Sequence, residues 1–151
     1  MRNLFCYRSL ICVFFILATT YKISVYTADV PEADTRANVY IKLFGEYGNS
    51  EQFALRQSET KRKKFLPGQV DVFTFREQQW LGKLAKIRIW HDNEGSNPSW
   101  YLSSVYVLDE LSGRLYGFVI DSWLSKEHGA VLKETDIGGM TLYKELCKYP
   151  K

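Results

Sequence analysis

Apolar and polar residues alternate with a period of two through most of the chain, beginning with Tyr21-Lys22-Ile23-Ser24-Val25. That period places successive side chains on opposite faces of a strand. Alternating or β-rich runs predict strands at Tyr21–Thr27, Ala37–Phe44, Gln52–Leu55, Val70–Phe75, Leu84–Trp90, Trp100–Leu108 and Leu115–Ile120. The connections between them carry Pro31, Gly45, Gly48, Pro67, Gly68, Gly95, Pro98 and Gly113, residues suited to turns. No run keeps a helical period for about twelve residues. Short strands with regular turns predict an all-β fold, an antiparallel sandwich of two sheets with about seven to eight strands. Alternation makes Tyr40, Leu43, Val72, Ile87, Ile89, Val105, Val107 and Phe118 candidate inward residues. Trp100 and Trp123 are candidate core plugs, because each buries a large apolar surface.

Composition agrees with one such domain. The 151 residues are 46% hydrophobic, enough for a core, and the 15% aromatic share favours strands over a helical bundle. The reading is an apolar leader over 1–20, a domain over 21–128 and a tail over 129–151. Between Tyr21 and Lys126 there are 14 Lys and Arg against 13 Asp and Glu, so the domain is nearly neutral and does not suit general nucleic-acid binding. Cys6, Cys12 and Cys147 all lie outside it, and their spacing makes no zinc site. In the leader, Arg2 and Arg8 precede the apolar run Leu10–Ala18 and Thr19-Thr20. That pattern fits a secretory signal peptide, and the run is shorter than the ~20 residues of a spanning helix. A remnant of a membrane helix and a buried strand extension are the other readings. In the tail, Thr141–Lys148 has the pattern of two helical turns.

The segment Trp90–Tyr101 (W-H-D-N-E-G-S-N-P-S-W-Y) places a tryptophan on each side of a long polar turn. Five further motifs occur with it in order: Tyr21–Thr27, Ala37–Gly45, Phe65-Leu66-Pro67-Gly68 with Val70-Asp71-Val72-Phe73, Leu81-Gly82-Lys83-Leu84, and Ser122-Trp123-Leu124-Ser125. Together they resemble the PLAT (LH2) domain, in the version found in the polycystin family, from about Tyr21 to about His128. The resemblance implies a β-sandwich without catalytic machinery that binds lipid headgroups or proteins at a membrane. It also implies a parent protein with a receptor or cation-channel role, which this chain cannot supply. Gly68 and Gly82 read as turn glycines, and Asp71 as a hydrogen-bond acceptor for a neighbouring loop.

The residues themselves show no catalytic constellation. His91 and His128 have no nucleophile motif beside them, and His91, at a strand end, predicts a turn hydrogen bond. If strands alternate in direction, the connections Asp29–Arg36, Gln57–Gln69 and His91–Ser99 share one end of the sandwich, and Trp80 lies at the other. In lipoxygenases and alpha-toxins, PLAT loops at that end bind calcium and contact membranes. The candidate calcium ligands here are Asp29, Asp34, Asp92 and Asn93, with Glu32, Thr35, Glu94 and Asn97 nearby; calcium takes six to eight oxygens. Arg36, Lys63 and Lys64 stand at positions where the resemblance implies ligands, and fixed cations oppose a divalent ion. The basic run Lys61-Arg62-Lys63-Lys64 instead suits anionic membrane lipids, each residue contributing about 1 kcal/mol near such a surface. The expectation is therefore a membrane-associated lipid-binding module, on the cytosolic face if polycystin-like, with no required cofactor. The alternatives are a purely protein-interacting module and a secreted PLAT protein. Circular dichroism of residues 20–130 should be β-rich; a mainly helical spectrum would overturn this reading.

Overall fold

A computed structural model describes residues 17–137 and the backbone of 141–143. The apolar run up to Ile16 and all three cysteines lie outside the described residues. The strands are β1 Ala18–Thr27, β2 Val39–Gly45, β3 Gly48–Asn49, β4 Phe53–Ala54, β5 Val70–Gln79, β6 Leu84–His91, β7 Trp100–Asp109, β8 Arg114–Leu124, β9 Leu132–Asp136 and β10 Thr141–Tyr143. Eight of them are three residues or longer, and no helix occurs among the described residues. One sheet runs β10-β8-β7-β1-β5; the other runs β3-β2-β6-β9, with β4 also paired to β2. All the paired strands are antiparallel. The fold is the expected antiparallel β-sandwich.

The period-two pattern builds the core. Tyr21, Ile23 and Val25 of β1 meet Ile41, Leu43, Ile87 and Ile89 of the opposing sheet, and all are fully buried. Val105, Val107 and Phe118 are inward as expected. Trp100 is fully buried, and its indole N–H donates to Thr27 Oγ1 at 3.0 Å. Its burial therefore leaves no polar atom unpaired.

Three inward assignments are corrected. Tyr40 and Leu43 differ by three positions and cannot share a face of a regular strand; Val39, Ile41 and Leu43 are the buried set. Val72 likewise faces outward, because Asp71 and Phe73 take the inward places. Trp123 is only half-buried. Leu124 is the inward partner of Trp100, while Trp123 pairs with Tyr101 and meets its ring edge-on at 5.2 Å.

The element limits also move. β1 begins at Ala18, within the segment read as leader, and β9 lies beyond His128, within the segment read as tail. Thr141–Tyr143 pairs with β8 as a strand rather than starting a helix; Lys144–Lys148 lies outside the described residues. β5 runs four residues past Phe75, through a bulge at which Glu77 has φ 53°.

Asp109 explains the early start of β1. Its carboxylate is completely buried. Oδ1 accepts from Thr19 Oγ1 at 2.5 Å and from the Leu111 amide at 3.2 Å. Oδ2 accepts from Trp80 Nε1 at 2.8 Å and from Ser112 Oγ at 2.6 Å. Four donors replace the water that a buried carboxylate loses. They join β1, the β5–β6 connection and the β7–β8 turn. Asp109→Ala strands these donors and should cost about 3 kcal/mol; Thr19→Val should cost about 1 kcal/mol. Denaturant unfolding measures both, and a loss under about 0.5 kcal/mol for Asp109→Ala would contradict this role.

Candidate functional site

The three connections expected at one end do converge there. The Gly68 amide donates to Ala28 O at 3.1 Å, Arg36 to Asn97 O at 2.9 Å and Asp92 to Asn38 O at 3.1 Å. Trp80 lies at the opposite end, hydrogen-bonded to Asp109.

The Gln57–Gln69 connection is held by a residue it buries. Phe65 takes φ 57°, a left-handed conformation that is strained for a bulky side chain. Burial offsets the strain: the Phe65 ring is 1% exposed, with its centroid 5.0 Å from that of Trp100 and 5.9 Å from that of Phe73. Its amide donates to Asp71 Oδ2 at 2.8 Å, the role expected of Asp71, which is fully buried. Gln69 Nε2 donates to both Asp71 oxygens, at 3.0 and 3.1 Å, and to Lys63 O at 2.7 Å. At the foot of the loop, Gly68 has φ +69° and lies against Asp29; a Cβ would come within 3.0 Å of Asp29 Oδ1.

The four basic residues divide into two groups. Lys61, Arg62 and Lys63 are exposed. Lys64 is half-buried; its Nζ donates to Leu55 O at 2.7 Å and lies 5.2 Å from the centroid of the Phe65 ring. Burial pushes its pKa down, with Asp71 opposing the shift and Arg56 adding to it. Lys64 is thus a strut inside the loop, and the outward charge belongs to three residues. Beside them, Leu66 and Val30 each expose 39% of their surface. The sequence reading missed these two apolar tips, although the adjoining prolines, Pro31 and Pro67, mark them as turn residues. A cleft of about 460 Å³ separates the loops, with Arg36, Lys63 and Lys64 among its lining and Asp34 as its one carboxylate.

The acidic residues are spread across the loops. Asp29 is exposed beside Gly68. Asp34 is half-buried, and its backbone oxygen accepts from Asn97 Nδ2 at 3.0 Å. The Asp92 carboxylate accepts from Asn38 Nδ2 at 2.6 Å, from the Asn38 amide at 3.1 Å and from the Glu94 amide at 3.0 Å. These bonds, the Asn38 side chain first, hold its pKa below the usual range. Asn93 takes φ 60° and donates its amide to His91 Nδ1 at 3.0 Å. Among the described residues, no group of three or more carboxylate, imidazole or thiolate side chains is placed to hold a metal ion. With Arg36 and Lys63 in the cleft beside Asp34, the loop end is a poor fit for calcium.

Residues 21–136 match the sequence pattern of the PLAT/LH2 domain. The chain belongs to the PLAT/LH2 domain family. Lipoxygenase homology domain-containing protein 1 of Mus musculus is 45% identical over 111 residues, covering 74% of this chain and 5% of that protein. Polycystin-1-like protein 3 of Mus musculus is 40% identical over 112 residues, again 74% of this chain and 5% of that protein. The chain therefore spans about a twentieth of these relatives. Coral 8R-lipoxygenase superposes with a TM-score of 0.68 at 22% identity, covering 79% of this chain and 17% of that one, a likeness of fold alone.

Within this PLAT domain, His91 locks the Trp90–Tyr101 turn. It is buried, and Nε2 donates to Leu124 O at 2.8 Å while Nδ1 accepts from Asn93. Both bonds need the neutral ring with its proton on Nε2. Burial lowers its pKa from the ordinary 6.5, against the raising effects of Leu124 O and Asp92. The unfolded chain therefore takes up the proton first. The stability contributed by neutral His91 is complete above pH 6.5 and is lost as pH falls through the lower folded value. Denaturant midpoints should fall between about pH 7.5 and about pH 5.5, and His91→Gln should flatten that slope while lowering the midpoint at about pH 7.5. Equal slopes in the two proteins would contradict the assignment.

Proposed function

We propose that the loop end is a calcium-independent docking surface for anionic membrane lipids, in a non-catalytic PLAT module of a polycystin-like, membrane-associated protein. The observation that carries the reading is the display of Lys61, Arg62 and Lys63 on an anchored loop, beside exposed Val30 and Leu66. Cations draw such a surface to anionic headgroups, and the apolar tips add burial at the interface. The rest of the domain is nearly neutral, and screening confines attraction to within about 8 Å at physiological salt, so the patch acts locally. No helix among the described residues is long and apolar enough to cross a membrane. A receptor or channel role falls to the rest of a longer protein.

Thr19 bears on the secreted alternative. Cleavage after Thr20 would remove a buried hydroxyl that donates to Asp109 and two residues paired with β5. That supports retention of the segment over secretion of a chain starting at Tyr21. A protein-binding role is favoured by one surface, the outer face of β2 and β6. There Tyr40 stacks on Trp90 with centroids 5.8 Å apart, and Lys42, Lys86 and Arg88 surround Phe44. Trp, Tyr and Arg are the side chains that dominate protein interfaces.

Flotation with phosphatidylcholine vesicles, with and without phosphatidylserine or phosphoinositide, tests the lipid reading. Binding should need the anionic lipid and survive chelator. Changing Lys61, Arg62 and Lys63 to Gln should remove about 3 kcal/mol, roughly a hundredfold in partition. Binding that requires calcium, or that is unchanged in the Gln variant, would overturn it.

A further inference from the structure

β5 is an edge strand, and part of that edge is open. In antiparallel pairing, alternate residues direct both backbone polar groups toward or away from the neighbouring strand. Val72 O accepts from the Glu59 amide at 2.8 Å, and Val70 O accepts from Thr60 Oγ1 at 2.9 Å. Both carbonyls therefore face away from β1, and by alternation so do the N–H and C=O of Thr74. The connection thus covers the edge at Val70 and Val72 and stops there. Among the described residues, nothing bonds Thr74 along this edge. Its Oγ1 is shielded from solvent and also lacks a partner.

The exposed edge is bordered by an open cleft of about 570 Å³, whose walls include Ala54, Arg56, Glu59, Phe73, Thr74 and Phe75. Its apolar floor is fixed, since Phe75 stacks on Phe53 with centroids 4.2 Å apart. The sequence here, Val72-Phe73-Thr74-Phe75, is strongly strand-forming and has no charge, proline or glycine. Edges are ordinarily guarded by such residues or covered by chain.

We infer that the β5 edge at Phe73–Phe75 is a strand-addition site for an extended peptide segment of another protein. The incoming strand bonds the N–H and C=O of Thr74, continues the pairing that Glu59 begins at Val72, and places an apolar side chain in the cleft beside Ala54 and Phe75. Arg56 and Glu59, of opposite charge, flank that cleft and suit a peptide carrying both signs. A second copy of this chain does not fit. The open stretch is closed on one side by the Glu59–Val72 bond and on the other by the bulge at Glu77, which leaves room for a few residues rather than a ten-residue strand. The site lies on a sheet edge, apart from Lys61–Lys63, and does not depend on the lipid reading.

The test is amide hydrogen exchange of the full chain, read by NMR. The probe is a short synthetic peptide alternating threonine and valine, with a lysine at one end and a glutamate at the other. In the free chain the Thr74 amide should exchange rapidly. With saturating peptide it should slow by at least about tenfold, as an amide entering a ladder does. A twin peptide, N-methylated on the amides that face β5, should give no protection. Thr74→Pro, tolerated at an edge because its N–H faces outward, should abolish the shifts that the peptide induces along β5 while keeping the spectrum of the fold. A Thr74 amide already protected in the free chain, protection confined to other strands, or equal binding of the N-methylated twin would each overturn the proposal.

Discussion

The loop end depends on one hydrogen bond, from the Phe65 amide to the buried carboxylate of Asp71. Asp71 occupies an inward position of β5, where a hydrophobic residue would otherwise sit. An unpaired carboxylate there would be costly. The Phe65 amide and the Gln69 side chain supply its donors, and in doing so they bend the chain and fix both feet of the basic turn. The bend forces Phe65 into a left-handed conformation, which holds because the ring fills the space beside Trp100 and Phe73. Lys64 then ties the turn to Leu55. Lys61, Arg62 and Lys63 are what remains outside. Their display therefore follows from core packing, and binding through them forfeits less loop entropy than binding through a free tail.

A second buried carboxylate, Asp109, plays a comparable part at the other end, where it gathers Thr19, Trp80 and Ser112. The two ends are separated by the ten-residue length of β1, about 30 Å at the rise of a strand. That distance is several Debye lengths at physiological salt. Charge changes at Lys61–Lys63 accordingly leave the Asp109 network alone, and stability and surface binding can be altered separately.

Much of the sandwich was legible because its strands alternate cleanly. Ile87, Ile89, Val105 and Val107 show their face directly. The misreadings arose where a strand carries apolar residues on both faces. In β2, Tyr40 is a large strand-forming residue like its inward neighbours but stacks on Trp90 outside. In β8, Trp123 is larger than Leu124, yet register gives Leu124 the inward place. β9 was hidden by Lys133, Glu134 and Asp136, which suit an edge strand paired on one side; Glu134 answers Arg88 and Lys86 across the sheet. Ala18–Thr20 read as the end of a leader because nothing local reveals that Thr19 meets Asp109, ninety residues away. At the loop end, the basic run and the role of Asp71 were visible in sequence. The inward turn of Lys64 was not, since it depends on the backbone oxygen of Leu55, which only the fold brings near.

The most direct measurement is partition of Asp71→Ala onto anionic vesicles, beside the unaltered protein, with β content checked by circular dichroism. This variant keeps all four basic residues and removes only the acceptor that shapes their loop. The account predicts clearly weaker partition together with faster exchange of the amides of residues 61–65. Unchanged partition by a folded Asp71→Ala protein would show that charge alone suffices, and would contradict the claim that the anchored loop makes the surface.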